Sequence, residues 1–327
     1  MTAPPLLEVT DLRTHLHLRR GVVRAVDGVS LRMEEGEALG LVGESGSGKT
    51  MTSLSLLRLL PKGSGGVLRG SVRLDGRELT ALSEAEMARE IRGKRISMIA
   101  QDPMTSLNPV FSIGDQVGAP FRHHGLARGR RSLREKAAEV LRRVRLPSPE
   151  KRLRDYPHQF SGGQRQRVVT AMAIACTPRL LLADEPTTAL DVTIQAQIIA
   201  LLRRIQRESG AGIILITHDL GVAASLCASI AVMYAGRVVE RGPVREVYRR
   251  PAHHYTRALL SAVPRLGGPR GGRLTAIPGQ PPSLLDPPAG CRFAPRCPHR
   301  MPVCEDYPPE LPVGPGHGAA CWLAAKG

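Results

Sequence analysis

Aromatic residues are nearly absent: Phe, Trp and Tyr make up 3% of the 327 residues, and none precedes Phe111. The shortage bears on the net charge of +17, which by itself suggests a nucleic-acid partner. The basic residues crowd into 122–154, where twelve Arg or Lys meet only Glu135, Glu139 and Glu150 and no aromatic ring. A platform for single strands needs rings among its cations. The stretch reads first as a solvated face and second as a surface near anionic lipid, so no nucleic-acid partner is expected. Long apolar runs are missing too. The longest, around Val168–Cys176 and Ile213–Thr217, fall far short of the ~18 residues that cross a membrane. No basic segment leads into an apolar one at the N-terminus, so no signal peptide is read. The expectation is a cytosolic chain that meets a membrane only through a partner. Internal repeats are lacking, and the length allows about two domains.

What is present begins with Gly43-Glu44-Ser45-Gly46-Ser47-Gly48-Lys49-Thr50, which reads G-x-x-x-x-G-K-T, the phosphate-cradling loop of nucleoside triphosphatases. The run Ala38–Val42 before it predicts a short buried strand. Leu54, Leu57 and Leu60 behind it predict a helix from Thr50 to Leu60, closed by Pro61. Glycines let backbone N–H groups converge on a polyphosphate, and the helix start adds partial positive charge. Lys49 is expected to reach the β and γ phosphates of a nucleoside triphosphate, and the Thr50 hydroxyl to hold Mg²⁺. A chance glycine-rich turn is the bland alternative, and both flanks argue against it.

Around this loop the pattern predicts strands at Leu6–Leu12, Val22–Leu31, Glu37–Val42, Val67–Leu74 and Arg95–Ile99, with a helix from Ser83 to Ile91. Residues 102–176 turn helical (Ser112–His124, Leu133–Val144, Gln164–Cys176), as a helical subdomain inserted into an α/β core. Strands Leu180–Ala183 and Gly212–Thr217 then alternate with helices Val192–Glu208 and Leu220–Cys227, implying a mostly parallel sheet. Ile194, Ile198, Leu201, Leu202 and Ile205 form a stripe expected to be core. Ser229–Tyr234 and Val238–Glu240 suggest a closing hairpin. Residues 263–290 are rich in Pro and Gly and read as a linker, dividing a domain at 1–262 from a Cys module at 291–327.

Two further stretches carry chemistry. The strand Leu180–Ala183 delivers Asp184, able to hold Mg²⁺ through water, and Glu185, placed to accept a proton from attacking water. Two solvated acids at a strand end are the bland reading. Phe160-Ser161-Gly162-Gly163-Gln164 opens a helix, with Ser161 as N-cap and bare N–H groups at the two glycines. That makes a second anion site, or else an ordinary cap.

The order Gly43–Thr50, Gln101, Ser161–Gln164, Asp184-Glu185, Ala189-Leu190-Asp191, His218 resembles the nucleotide-binding subunit of ATP-binding-cassette (ABC) transporters, over residues 6 to about 250. The resemblance implies a P-loop cassette fold: a mostly parallel sheet with an antiparallel β subdomain and the inserted helices. It implies two cassettes head to tail with two ATPs between them, Lys49 and Thr50 of one facing Ser161 and Gly163 of the other. It makes Glu185 the general base, lets His218 orient the γ-phosphate, and has Gln101 couple Mg²⁺ to the membrane partner. It puts Asp191 in the loop at the dimer seam. The pattern departs at His15-Leu16-His17, where many relatives carry an aromatic that stacks on adenine, and at Ala100, where relatives often carry Phe.

Gln101–Pro109, Ala183–Asp191, Ile277-Pro278-Gly279 and above all Gly290–Pro298 are similar to the oligopeptide and dipeptide importer ATPases. In that group a solute-binding protein delivers cargo to two integral membrane permease subunits, powered by two cassette subunits. The rival from another class is a soluble ABC ATPase of DNA repair or translation, against which the lack of a coiled-coil insertion or second cassette speaks.

Cys291, Cys297, Cys304 and Cys321 are spaced C-x5-C-x6-C-x16-C. Four thiols so close in a cytosolic chain argue for a metal over disulfides. The close pairs usual for zinc are missing. A [4Fe–4S] cluster suits four cysteines, as the resemblance also suggests. Zinc, with His299 or His317 substituting, and no metal remain the alternatives. Cys176 and Cys227 read as small buried hydrophobes.

Overall fold

The computed structural model describes residues 4–61, 63–64, 66–188, 190–262 and 277–324. Ala189 of the Ala-Leu-Asp motif and the stretch 263–276 of the linker lie outside the described residues. In chain order the elements begin with β1 (Leu7–Leu18), β2 (Gly21–Met33), β3 (Ala38–Val42), α1 (Lys49–Leu56), β4 (Val67–Leu74) and β5 (Arg77–Glu78). They continue with α2 (Glu84–Glu86), β6 (Ile96–Ile99), α3 (Pro103–Ser106), α4 (Ile113–His123), α5 (Arg130–Arg143), α6 (Pro149–Arg152) and α7 (Gly162–Ile174). Then follow β7 (Leu180–Asp184), α8 (Val192–Ser209), β8 (Gly212–Thr217), α9 (Leu220–Leu226), β9 (Ser229–Tyr234) and β10 (Arg237–Pro243). The last are α10 (Val244–Arg249), α11 (His254–Ser261), β11 (Leu311–Gly314) and β12 (His317–Ala319).

The chain forms two compact units, each threaded more than once. One holds Leu7–Arg32, Ala38–Thr80 and Thr217–Gly327. Within it β2, β1, β4 and β5 make a sheet in that order. In β1 the buried positions are Leu7 and Val9, then Leu12, Thr14 and Leu16. The change from odd to even is the work of a bulge between Thr10 and Arg13, where Asp11 takes a φ of 47°. An extra residue shifts side-chain parity, so the strand keeps its apolar face inward and runs on past Leu12, where the sequence pattern ends it. In the same unit β3 pairs parallel with β9, and β9, β10, β12 and β11 follow as antiparallel neighbours. All five residues of β3 are buried, as a strand covered on both faces requires.

Asp27, 3% exposed, is the polar hub of this unit. Its carboxylate bonds to His15 Nε2 at 3.0 Å, to Arg237 Nη2 at 3.0 Å and to Arg292 of the C-terminal segment. Burial pushes the Asp27 carboxyl up, but the hydrogen bonds from Arg237 and His15 and the charge of Arg292 outweigh it and hold it at about 2. Elsewhere in this unit β12 pairs with β10, and buried Glu240 accepts from the N–H groups of Ala252 and His253 and bonds to His317 Nε2 at 2.8 Å.

The other unit holds Met33–Glu37 and Ala81–Ile216 with the first residues of the chain. Here β6, β7 and β8 run parallel, and α4, α5 and α7 pack on one another. Ala137, Ala138, Val140 and Leu141 of α5 are buried, while Arg130, Arg131, Arg134 and Arg142 face outward. The basic stretch is mainly a solvated face. The unit boundaries cross those expected from composition: the helices of 103–174 cluster with β6–β8, and the Cys segment clusters with β3 and β9.

Local departures have local causes. Helix α1 ends at Leu56, before Pro61, because Arg58 turns left-handed (φ 53°) and the Leu59 N–H bonds back to Leu54 O at 2.8 Å. The helix expected over Ser83–Ile91 does start with a Ser83–Glu86 capping box, but its second half, Met87–Ile91, winds as a π-helix. Ile194 is half-buried and not in the core stripe, where Ile199 joins Ile198, Leu201, Leu202 and Ile205.

Candidate active site

The loop Gly43–Thr50 joins β3 to α1 as its spacing predicts. Gly43 (φ 153°) and Gly48 (φ 104°) are required there: a Cβ would stand 2.2 Å from Met233 O and 2.4 Å from Ala25 O. Gly46 faces open space, and Ser45 is exposed. Lys49 Nζ donates to Gly43 O at 2.8 Å, to Glu44 O at 2.9 Å and more weakly to Ser47 Oγ at 3.4 Å. The ammonium thus sits inside the loop that it closes. Thr50 follows, exposed in the first turn of α1. Ser47 O accepts from the Gly236 N–H at 2.8 Å, fastening the loop to the β9–β10 turn. His218, exposed, leaves β8 one residue before Asp219, whose side chain caps α9.

In the other unit β6 and β7 run in register, Ile99 beside Ala183. Two residues on, that register brings Gln101 beside Glu185: Gln101 Nε2 donates to Glu185 Oε2 at 3.0 Å. Thr188 Oγ1 donates to the same oxygen at 2.9 Å. Glu185 itself turns left-handed (φ 44°), its N–H held by Ile216 O at 2.9 Å, while Asp184 is 1% exposed. Two donors, one from just past β6 and one from the turn after β7, thus meet at the Glu185 carboxylate. Ser161 caps α7 in a reciprocal capping box with Gln164. A Cβ on Gly163 would come within 2.8 Å of Ile194 Cγ2, so glycine here also lets α8 approach. Asp191 caps α8 through the Ile194 N–H at 2.9 Å.

Comparison with known proteins adds to this geometry. The ABC transporter family model matches residues 26–188, and the model of the oligopeptide/dipeptide transporter C-terminal region matches 239–304. The dipeptide transport ATP-binding protein DppD of Bacillus subtilis is 49% identical over 97% of this chain and 94% of its own. The oligopeptide transport ATP-binding protein OppD of Salmonella typhimurium is 48% identical over 97% of this chain and 93% of its own. The chain belongs to the ABC transporter ATP-binding family. As an ABC cassette it also aligns with the dimeric cassette MJ0796 bound to ADP and Pi, at a TM-score of 0.63 and 28% identity over 73% of this chain and 99% of the other. This cassette is an ATPase by family, and no helix among its described residues is long and apolar enough to cross a membrane.

The four tail cysteines line one cavity with His253, His254, Phe293 and His299. Burial, and next to it the nearby Cys304 and Cys321, push the Cys291 thiol up to about 11, and burial raises Cys297 as well. Among the described residues no group of three or more His, Cys, Asp or Glu is placed to hold a metal ion. The buried His253 Nε2, in a residue lining the same cavity, has no hydrogen-bond partner among the described residues.

Sequence reasoning missed three contacts of the site. Thr188 holds Glu185, Tyr255 Oη accepts the Glu44 N–H at 2.8 Å, and Arg296 pairs with the Glu44 carboxylate. Arg296 lies in the Gly290–Pro298 stretch, which in the sequence points to the family and to a cysteine ligand but carries no sign of a partner at Glu44.

Proposed function

We propose that this chain is the ATP-binding and ATP-hydrolysing subunit that energises an ABC importer of dipeptides, oligopeptides or related solutes. The observation that carries the ATPase part is the Glu185 carboxylate held by Gln101 and Thr188 at the end of a buried strand. The match of 239–304 to the peptide-transporter C-terminal region, and relatives named for dipeptide and oligopeptide transport, support the import part. The Gly43–Thr50 loop cradles the phosphates of ATP, with Lys49 at their centre. Thr50, Asp184 and Gln101 attend Mg²⁺, Glu185 is the general base, and His218 orients the γ-phosphate. Ser161, Gly162, Gly163 and Gln164, exposed or half-buried at the tip of α7 apart from Gly163, meet the nucleotide of a second cassette, with Asp191 at the seam.

The domain reading follows: a cassette over 1–262 with its helical subdomain about 102–176, a linker over 263–290, and a Cys module from 291. Met104, Val110 and Phe111, 61%, 72% and 53% exposed in one short stretch of the chain, are apolar side chains that suit docking on two membrane permease subunits at the cytoplasmic face. A solute-binding protein acts on the far side. The expected result is ATP-dependent uptake of a labelled oligopeptide by vesicles holding this chain and both permease subunits. Nuclease-sensitive association with no membrane co-fractionation would instead favour the DNA-repair or translation reading.

The same module, in this proposal, holds a [4Fe–4S] cluster on Cys291, Cys297, Cys304 and Cys321. Four thiols around one cavity supply soft donors, and the orphaned His253 N–H is a donor that a cluster sulfide would accept. Such a cluster would supply soft-donor cross-linking of a segment poor in apolar residues. Chain purified without oxygen is expected to carry iron and a broad visible absorption. A colourless, zinc-loaded or metal-free chain overturns the cluster.

A further inference from the structure

The phosphate loop is gripped by residues from the far end of the chain. Arg296 Nη1 donates to Glu44 Oε2 at 2.7 Å and Nη2 to Oε1 at 3.1 Å, a two-pronged pair. The guanidinium side chain is 4% exposed, against 27% for Glu44. Its other donors are spoken for by Pro278 O at 2.9 Å, Ile277 O at 3.3 Å and Tyr234 Oη at 3.2 Å, so its direction is fixed. Tyr255 Oη accepts the Glu44 N–H, with its ring centroid 4.5 Å from that of Tyr234 and 5.4 Å from that of Phe293. Both the backbone and the carboxylate of Glu44 are therefore set from outside the loop.

Two consequences meet at this residue. A carboxylate in a loop built to surround polyphosphate repels its ligand unless a cation cancels it. Glu44 O is also a carbonyl that places Lys49 Nζ, at 2.9 Å. We infer that Arg296 is a positioning residue for nucleotide: it neutralises and fixes Glu44, and through the Glu44 backbone it sets Lys49. This rests on reading Gly43–Thr50 as the ATP loop. The C-terminal segment then contributes to ATP affinity as well as to folding.

The test is a double-mutant cycle on the full chain: wild type, Arg296→Gln, Glu44→Gln and the double variant, each titrated calorimetrically with Mg-ATP. Arg296→Gln is expected to weaken ATP binding about tenfold, within the usual range of coupling between sites. Arg296→Gln added to Glu44→Gln is expected to weaken binding by less than about a further twofold, because the charge to be cancelled is gone. In the assembled transporter the ATP KM should rise with kcat held, the sign of lost ground-state binding. Equal losses in both backgrounds, or unfolding by circular dichroism in both, would assign Arg296 to module packing and overturn the inference. ATP binding unchanged by Arg296→Gln overturns it as well. Wild-type chain that binds no ATP would fell the nucleotide reading itself, a result separate from additivity.

Discussion

Glu185→Gln is expected to leave ATP bound and to slow its hydrolysis by roughly 10²–10⁴-fold, the usual worth of a general base. The substitution keeps the shape of a side chain whose Oε2 already receives Gln101 Nε2 at 3.0 Å and Thr188 Oγ1 at 2.9 Å. It removes the capacity to take a proton from water. It leaves intact the φ of 44° and the N–H bond to Ile216 O that turn the residue out of β7. Binding should therefore survive, since the substitution leaves Lys49 and the loop glycines, which hold the phosphates in the proposed reading, untouched. Single-turnover hydrolysis beside equilibrium ATP binding separates the two. Hydrolysis at the wild-type rate would remove Glu185 from its role. Lost binding would mean that the carboxylate serves the nucleotide or its metal directly.

Asp27→Asn should cost about 3 kcal/mol of stability, the range seen when one partner of a buried pair is removed. The asparagine can still accept a hydrogen bond but cancels no charge. Arg292, its side chain 2% exposed, would stay buried with no counter-charge from position 27. The pH dependence has a definite sign. The Asp27 carboxyl is held at about 2, below its ordinary 3.8, so its ionised form stabilises the folded chain. That stabilisation is complete above the ordinary value and fades as pH falls toward about 2. Urea unfolding at pH 7 should show the full gap between wild type and Asp27→Asn, and at pH 3 a narrower one. A gap that is constant across this window would mean that the variant acts through packing and not through charge.

Much of the site was legible because its chemistry is local. The phosphate loop, the Ser161 and Ser83 capping boxes and the Asp184-Glu185 strand end are each written in a few consecutive residues. The meeting of Gln101 and Glu185 follows from two parallel strands in register, which the order of motifs does not announce. The structure corrects the sequence pattern where backbone conformation decides. Asp11 inserts a bulge that lengthens β1, Arg58 ends α1 a turn early, and Met87–Ile91 winds as a π-helix. Arg296 and Glu44 are separated by 252 positions, and no spacing rule announces such a partner. Long-range pairs of this kind come from the fold and not from the motif.

The strand β12 and the arginine beside Cys297 also set an order of events during synthesis. A ribosome that has made β3 and the lysine behind it has exposed a catalytic loop whose last support is still untranslated. That support lies 252 residues further along the chain. On the role inferred for Arg296, a growing chain completes its nucleotide loop long before the side chain that steadies it has been made.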